Sequence, residues 1–294
     1  MIDLSIIILN YNTKDFLLKC LQSIKAADLG GISVEVIVVD NGSSESIRDI
    51  TEVKIIENKK NVGFSKGNNV GVKKSHGKYV LFLNPDTVLP KNTLKIIFEF
   101  MEKHTDVCVV SPRLELADGS FDEASHRGFP TPWNAFCHFS GLRSLFPKSK
   151  VFAGYTQGWL LDNKEPHEVD SVSGAFLFTR RKLGEAISWW DEDYFWYGED
   201  LDFCYKVKEK GWKIMFLPEI SVLHYRGVAS GIKGHSKKIS TSTPETKMRA
   251  ALASTEAMRI FYKKHYTNKY PQIVTSLVLV AIGLLEKIRV SKYS

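Results

Sequence analysis

The sequence predicts an α/β protein with a mostly parallel, doubly wound sheet and a C-terminal helical extension. Short apolar runs alternate with helical patterns through about the first 110 residues, which is typical of a parallel sheet covered by helices. Polar clusters follow three of the predicted strands, at the sheet edge where open α/β proteins bind ligands. A basic segment with two helical patterns then closes the chain. These observations predict a ligand-binding α/β unit followed by an extension.

The first half of the chain contains five predicted strands and three predicted helices. The fourth strand is a continuous apolar run, as expected of a strand buried on both faces, and it ends just before a proline. The predicted strands are Leu4–Leu9, Val34–Val39, Lys54–Ile56, Tyr79–Leu83 and Val107–Val110. Apolar residues at helical spacing predict helices at Lys14–Ala26, with Thr13 as its N-cap, at Ser65–Lys74 and at Lys91–Lys103.

The second half is less regular. Residues 111–165 mix aromatic residues, proline and glycine with charge, which predicts a partly irregular excursion that forms a pocket wall. Glycine, serine and lysine predict a mobile segment at Arg226–Pro244. Pro271–Leu285 is uncharged but shorter than the ~20 residues that span a bilayer, which favours a buried or interfacial helix. Strands are predicted at Val172–Thr179, Ile214–Phe216 and Val222–Tyr225, and helices at Arg180–Ile187, Glu199–Lys210 and Thr246–His265.

The positive charge of the chain is confined to its C-terminal quarter. The net charge is +7, yet residues 226–294 contain 13 Lys and Arg against 3 Asp and Glu, so the rest of the chain is slightly acidic. A basic end can meet nucleic acid or an anionic membrane, and the apolar last helix favours the membrane. Four cysteines without CxxC spacing, and no secretory leader, predict buried thiols in a cytoplasmic protein.

Three polar clusters end the first, second and fourth predicted strands. They are Asn10–Asn12 (NYN), Asp40–Ser43 (DNGS) and Asn84–Asp86 (NPD). Each alone fits a solvated turn, but the carboxyl ends of parallel strands share one edge, so the three together predict a binding crevice. The segment Asn61–Gly71 (NVGFSKGNNVG) matches neither GxGxxG nor GxxxxGK[ST], which excludes a dinucleotide fingerprint and a P-loop.

These motifs resemble family 2 glycosyltransferases with the GT-A fold. The matching segments are residues 5–12, Val38–Ser43, Asn61–Gly71, Asn84–Asp86 and Gly198–Asp202 (GEDLD). The NPD form and the Gly-Asn-Asn segment are similar to the rhamnosyltransferase branch in particular, and the resemblance covers residues 4–204. It implies an inverting transferase that moves a sugar, expected to be rhamnose, from a nucleotide sugar such as dTDP-rhamnose or a UDP-sugar. The implied acceptor is a glycan or polyprenyl-linked glycan in cell-surface polysaccharide synthesis.

The resemblance also implies roles for single residues. Asp200 would be the catalytic base, with Glu199 beside it, and Asp86 and His224 would bind Mg²⁺ or Mn²⁺. The implied nucleotide-binding residues are Asn12, Asp40, Asn61, Gly63, Phe64 and Asn69. Two positions depart from the family pattern, because Asn84 replaces the first acid of the metal motif and Asn68 stands where arginine is common. Which cation contacts the diphosphate therefore stays open.

The residues themselves support this chemistry and leave structural alternatives open. Three acids within residues 199–202 would raise one another's pKa, which suits a general base, but acids also stabilise a helix N-terminus. Trp196 could stack on an acceptor sugar and Gly174 could admit the donor sugar, with core packing and a strand bulge as the alternatives. Asp202 is expected to contact a sugar as part of the acidic group, and His224 could equally be structural.

The predicted organisation has three parts. Residues 1–110 form a nucleotide-sugar-binding half, residues 111–230 an acceptor-binding and catalytic half, and residues 231–294 a mobile basic segment with helices. The last part is expected to anchor the protein peripherally on the inner face of the cell membrane, with packing on the catalytic domain or on a second subunit of a homo-oligomer as the alternative. No nucleic acid partner is expected.

Two other functions compete with a transferase. One is a catalytically silent nucleotide-sugar-binding scaffold of the same fold, against which the intact Asp86 and Asp200 argue. The other is a sugar-1-phosphate nucleotidyltransferase, which would need a glycine-rich loop with arginine after the first strand. Asn10–Lys14 has no such loop.

Overall fold

A computed structural model describes residues 2–228, 240 and 242–292 of the chain. Its strands are β1 (Leu4–Asn10), β2 (Val34–Asp40), β3 (Lys54–Glu57), β4 (Tyr79–Leu83), β5 (Thr87–Val88), β6 (Val107–Glu115), β7 (His167–Glu168), β8 (Phe176–Arg180) and β9 (Lys213–His224). Its α-helices are α1 (Lys14–Lys25), α2 (Phe64–Val72), α3 (Thr93–Lys103), α4 (Pro132–Phe139), α5 (Leu142–Leu145), α6 (Arg181–Ala186), α7 (Glu199–Glu209), α8 (Pro244–His265) and α9 (Gln272–Val290).

The strands form one mixed sheet in the order β3-β2-β1-β4-β8-β6-β9-β5, with β7 paired to β9. The first four strands in this order are parallel, whereas β8 runs antiparallel between β4 and β6. The carboxyl ends of β1, β2 and β4 therefore lie along one edge, as predicted. Asn10 stands directly opposite Asp40 at that edge.

Helices cover both faces of the sheet, so it is doubly wound as predicted. Successive side chains of a strand point to opposite faces, and Ile6 and Ile7 of β1 are both fully buried for this reason. On the face of Ile6, α1 and α3 pack through residues such as Leu17 and Ile97. On the face of Ile7, α7 packs through Phe203, beside α2 and α6.

Several predicted elements differ in extent from those observed. Ile214–Phe216 and Val222–Tyr225 are parts of one strand, β9, which runs through Pro218 because its register with β6 shifts after Pro112. Proline is tolerated in strands at such irregularities. Residues 111–165 are more regular than predicted, because β6 continues to Glu115 and α4 and α5 follow. The strands β5 and β7 have two residues each, too few for a periodic pattern to show.

The C-terminal helices pack against α7. Phe261 and Tyr262 of α8 lie in a cluster with Leu201 of α7. The Asp202 carboxylate, 1% exposed, accepts a hydrogen bond from His265 Nε2 at 2.7 Å and lies near the Lys206 ammonium. The extension is therefore attached to the helix that begins at Glu199.

One face of α9 packs on α8 and the other is exposed. Ile282 is buried, and Glu286 pairs with Arg259 of α8 at 2.6 Å. The exposed apolar residues follow one helical stripe, namely Ile273, Leu277, Val280, Leu284 and Ile288. None of the described helices is both long and apolar enough to cross a membrane. Packing on the protein therefore covers the face of α9 that carries Ile282 and Glu286, and leaves the apolar stripe exposed.

Two other predictions concern thiols and mobility. The four cysteines are free and buried, as predicted. The predicted mobile segment, Arg226–Pro244, falls largely on residues 229–239 and 241, which lie outside the described residues.

Candidate active site

A cavity of about 830 Å³ opens at the carboxyl edge of the sheet. Its walls come from the loops after β1 and β4, the N-terminus of α7, the α4 region, and the helices α8 and α9. Ligand pockets range over about 300–1,000 Å³, so the volume is at the larger end. The predicted pocket wall in residues 111–165 does line this cavity, for example through Arg127 and Phe139.

Buried hydrogen bonds tie the loop after β1 to the loop after β2. Asn10 Nδ2 donates to Asp40 Oδ1 at 2.9 Å, and the Ser43 hydroxyl donates to the same oxygen at 2.6 Å. Asn12 has φ 55°, and its side-chain oxygen accepts from the Ser44 N–H at 2.8 Å. Asp40 and Asn12 thus hold the two loops together and are not among the residues that line the cavity.

The next wall is formed by Asn41, Asn61, Gly63 and Phe64, which all line the cavity. Asn61 Oδ1 accepts from Asn41 Nδ2 at 3.0 Å and from the Gly63 N–H at 2.9 Å. Gly63 has φ 91°, and a Cβ at this position would lie 2.7 Å from the Phe195 carbonyl oxygen. Only glycine fits there, and it lets two loops meet at the cavity surface.

The pairing of β5 with β9 brings Asp86 and His224 together. Thr87 pairs with His224 across these antiparallel strands, and the Tyr225 N–H donates to the Asp86 carbonyl at 2.9 Å. His224 Nε2 consequently lies 3.4 Å from Asp86 Oδ1, and the two side chains are only 4% and 9% exposed. Both residues line the cavity.

Asp122 contacts the other side of the imidazole. His224 Nδ1 lies 2.9 Å from Asp122 Oδ2, and Arg226 Nη1 lies 2.6 Å from Asp122 Oδ1. Burial alone would lower the pKa of His224, but the carboxylates of Asp86 and Asp122 outweigh it and raise this pKa to about 9. Burial opposes the ionisation of Asp122, yet His224 and Arg226 bring the pKa of Asp122 to about 2.

Asp86 and His224 fit a divalent cation that is shared with a phosphorylated ligand. His224 Nε2 is buried without a hydrogen bond, and Asp122 orients the ring as carboxylates do behind metal-binding histidines. In the described part of the chain, no three His, Cys, Asp or Glu side chains are arranged to hold a metal. Mg²⁺ is usually bound by only one or two carboxylates together with substrate phosphates, and Mn²⁺ also accepts imidazole. The pair therefore fits such an ion when a diphosphate supplies further oxygens, and binding of the ion would release the proton that the two carboxylates otherwise hold on His224.

A left-handed turn at Tyr197 (φ 72°) and Gly198 (φ 82°) precedes α7. The first turn of α7 meets the cavity through Asp200, whose side chain is 13% exposed. Asp200 Oδ2 accepts from Arg127 Nη2 at 2.6 Å and from the Gly174 N–H at 3.3 Å. The carboxylate is thus held in one orientation while it borders the cavity.

Glu199 is buried next to Asp200. Burial and the charge of Asp200 raise the pKa of Glu199 to about 8. Its Oε2 has no hydrogen-bond partner among the described residues. The increase in pKa that is expected from crowded acids is therefore found at Glu199, which also lines the cavity.

An aromatic pair lies immediately before the acids. The rings of Trp196 and Tyr197 are stacked, with centroids 5.6 Å apart and planes 12° from parallel, and both residues line the cavity. The Arg249 guanidinium lies 3.8 Å from the ring centroid of the preceding residue, Phe195. A flat aromatic surface beside a carboxylate can bind the apolar face of a sugar ring.

The model of glycosyl transferase family 2 matches residues 5–161, more than half of the chain. The chain belongs to this family.

Among curated relatives, the hexosyltransferase Agl10 of low-salt glycan biosynthesis in Haloferax volcanii is 28% identical over 77% of this chain and 68% of Agl10. The rhamnosyltransferase WbbL of Escherichia coli K12 is 23% identical over 75% of this chain and 82% of WbbL. The N-acetylglucosaminyl-diphospho-decaprenol L-rhamnosyltransferase of Mycobacterium tuberculosis is 23% identical over 78% of each chain. The names of all three relatives describe glycosyltransferases, in agreement with the family.

Solved structures agree on the fold. GalNAc-T7, crystallised with UDP, GalNAc and Mn²⁺, superposes with a TM-score of 0.60 at 15% identity, over 89% of this chain and 48% of that chain. Staphylococcus aureus TarS 1–349 with UDP-GlcNAc superposes with a TM-score of 0.57 at 18% identity, over 96% of this chain and 71% of that chain. The α/β fold is of the GT-A type, as predicted.

The structure of this family 2 glycosyltransferase brings most of the predicted site residues to one cavity. The predicted residues that line it are Asn61, Gly63, Phe64, Asp86, Gly174, Trp196, Glu199, Asp200 and His224. Four others lie behind its surface. Asn12 and Asp40 hold the strand-end loops, Asn69 bonds to the Trp190 carbonyl at 2.9 Å, and Asp202 faces α8.

Three residues of the site were not predicted from the sequence. Arg127 pairs with Asp200 across 73 positions of the chain, and Asp122 contacts His224 across 102. Arg226 completes the second group through Asp122. The first two come from the irregular region, where no periodic pattern indicates which polar side chains face inward. Arg226, two residues after His224, was the one that local spacing could have indicated.

Proposed function

We propose that the protein is an inverting glycosyltransferase that moves a hexosyl group, rhamnosyl in the first instance, from a nucleoside diphosphate donor to a glycan. The observation that carries this proposal is the presence of two chemical groups in one cavity. Asp200 offers an oriented carboxylate, and the Asp86–His224 pair offers a site for a cation bound to diphosphate. A single displacement needs a base on the acceptor side and charge stabilisation on the leaving-group side.

Asp200 is the proposed base. Its Oδ2 is held by Arg127 and the Gly174 N–H, and this orientation presents the carboxylate to an acceptor hydroxyl in the cavity. The hydroxyl oxygen attacks the anomeric carbon from the face opposite the diphosphate, and Asp200 takes the hydroxyl proton. Trp196 and Tyr197 offer an aromatic surface for the acceptor ring.

The leaving-group side is built on His224 and Asp86. Mg²⁺ or Mn²⁺ at this pair would offset the charge of the departing nucleoside diphosphate. Asp122 and Arg226 keep the imidazole oriented toward Asp86. In the Asn84-Pro85-Asp86 motif a neutral asparagine stands in the place of the first acid. Asp86 is therefore the carboxylate of this motif, and it faces the His224 imidazole.

The donor and acceptor classes follow from similarity and position. The rhamnosyltransferase relatives favour dTDP-rhamnose as donor, with UDP-sugars as the other candidates. Asn61, Gly63 and Phe64 would contact the nucleoside, and Gly174 the donor sugar, while Asp40, Asn12 and Asn69 support the same loops from behind. A relative whose acceptor is a diphospho-decaprenol glycan favours a lipid-linked acceptor in cell-surface polysaccharide synthesis.

We also propose that the protein works at the inner surface of the cell membrane. The exposed stripe of α9 is apolar and is accompanied by the exposed Lys287 and Lys292. Basic residues near an anionic leaflet contribute about 1 kcal/mol each, and the apolar face adds buried area. Such a position would bring the cavity to a lipid-linked acceptor.

The test is donor binding followed by turnover. Nucleotide sugars are screened by thermal shift with and without Mn²⁺, since a ligand of the native state raises the melting temperature. The donors that bind are then assayed for hydrolysis and for transfer. A donor that stabilises the protein but is never turned over would favour the alternative of a silent nucleotide-sugar scaffold. If no nucleotide sugar binds, both functions are excluded.

A further inference from the structure

Basic side chains border the cavity, and only some of them are paired with a carboxylate. Within the described residues its arginine and lysine side chains are Arg127, Arg143, Arg226, Arg289 and Lys292. The first three are paired with the carboxylates of Asp200, Glu123 and Asp122. The last two have no Asp or Glu oxygen within 4.0 Å in the part of the chain that the structure describes. The C-terminal side of the cavity therefore carries uncompensated positive charge.

Arg289 is the more buried of these two cations. It is half-buried, its Nη1 donates to the Ser254 hydroxyl of α8 at 2.6 Å, and burial lowers the pKa of its guanidinium. Tyr155 and Tyr197 are its electrostatic neighbours in the cavity. Desolvating a guanidinium without a counter-ion is unfavourable, and an anionic ligand that forms charge-assisted hydrogen bonds would offset this.

The cavity that Arg289 borders is also lined by apolar side chains. Val278 and Ile282 of α9 and Phe139 of α4 line the same cavity. Phe139 is 55% exposed, and Leu277, next to Val278, is 66% exposed. Charge with adjoining hydrocarbon surface matches an amphiphilic phosphate ester better than inorganic phosphate.

We propose that Arg289 and Lys292 form an anion subsite for the phosphoryl group that joins a lipid to the acceptor sugar. The proposal rests on the proposed function, because it names where the second substrate of that reaction is held. Tyr197 connects the subsite to the proposed base, Asp200. It is an electrostatic neighbour of Arg289, its ring stacks on that of Trp196, and Gly198 separates it from the start of α7. The donor diphosphate is proposed to lie beside Asp86, which follows β4, whereas Arg289 belongs to α9 and Lys292 comes just after it.

The binding test uses geranyl diphosphate as the probe, titrated into the full-length protein by calorimetry. EDTA removes divalent cations, and excess dTDP or UDP, whichever raises the melting temperature, occupies the nucleotide end. We expect Arg289→Gln to weaken binding of the probe at least tenfold and Arg289→Lys to restore part of the affinity. The control is Lys287→Gln, which removes a charge from α9 outside the cavity and should leave the affinity unchanged.

Each outcome separates the subsite from its alternatives. Equal affinity in Arg289→Gln and the parent overturns the proposal, as does equal weakening in Lys287→Gln, because the latter indicates a non-specific basic surface. Binding of inorganic pyrophosphate as tight as that of geranyl diphosphate also overturns it in favour of a free-phosphate site. A loss of dTDP or UDP binding in Arg289→Gln would also overturn the proposal, because it would assign Arg289 to donor binding or to folding. Arg289-dependent probe binding in a protein that binds no nucleotide sugar would refute the proposed function alone.

Discussion

Replacing Asp200 by asparagine tests the assignment of the base, and Asp202 provides the matched control. The two acids are two residues apart on α7 and have opposite surroundings. Asp200 borders the cavity, whereas the Asp202 carboxylate is 1% exposed and contacts His265 and Lys206. The same chemical change should therefore affect turnover at one position and stability at the other.

The magnitudes follow from these contacts. The amide introduced by Asp200→Asn would keep the size of the side chain but could not take a proton, so kcat should fall by about 10²–10⁴-fold, or about 3–5 kcal/mol in the barrier. Arg127 would lose its carboxylate, which should lower the free energy of unfolding by about 1–3 kcal/mol. Asp202→Asn leaves His265 and Lys206 without a counter-ion and should lower this free energy by about 2–4 kcal/mol. Its kcat should change by less than about threefold.

The assay is initial-rate transfer at saturating donor, with urea unfolding of the same samples. Donor binding by calorimetry should be nearly unchanged in both variants, which confirms an intact nucleotide site. A loss of kcat below about tenfold in Asp200→Asn, with binding intact, would refute the assignment of the base. If Asp202→Asn loses much of its kcat at a temperature where the variant is folded, then Glu199, Asp200 and Asp202 contribute to turnover together.

Three further predictions follow. Asp86→Ala and His224→Ala should both weaken Mn²⁺-dependent binding of the nucleoside diphosphate in calorimetry, the first more strongly, and parent-like binding in His224→Ala would make that histidine structural. Glu199 has a folded pKa of about 8, above its ordinary value, so its folded form binds the extra proton and stability should fall between about pH 4.5 and 8. Glu199→Gln should make this decrease in melting temperature smaller, most clearly between about pH 4.5 and 6.5, where the raised pKa of His224 does not yet contribute, and an unchanged pH profile would contradict the burial argument. Leu277→Glu should reduce co-sedimentation with anionic vesicles, while Leu18→Glu, an exposed site on α1, should not; equal effects would argue against α9 as the membrane contact.

The strand-end part of the site could be predicted because its signals are local. An apolar run that stops at Asn84-Pro85 fixes where β4 ends, and parallel pairing then brings the neighbouring strand ends to the same edge. The different surroundings of Asp200, which borders the cavity, and Asp202, which faces α8, also follow from local geometry. Residues two apart on an α-helix point in nearly opposite directions, so only one of them can face the cavity.

The remaining part of the site depends on contacts that no local pattern encodes. Arg127 reaches Asp200 from an irregular segment 73 residues earlier, and its position is set by tertiary packing. The continuity of β9 through Pro218 was missed because proline normally ends a strand, whereas the register shift against β6 absorbs it here. The two-residue strand β5 was missed for its length, although it is the element that places Asp86 beside His224.

The attachment of α8 to α7 through Asp202 and His265 has a consequence for how specificity can diverge. The strand-end loops on one side of the cavity come from the first part of the chain, while α8 and α9 complete another part of its wall, which we propose receives the acceptor. Substitutions on one side can therefore leave the other undisturbed where they keep the contacts that join the two, such as Asn69 with the Trp190 carbonyl and Asp202 with His265. A scaffold of this kind can keep its specificity for one donor sugar while its acceptor changes. Exchange of α8 and α9 between relatives is therefore a rational route to new linkages.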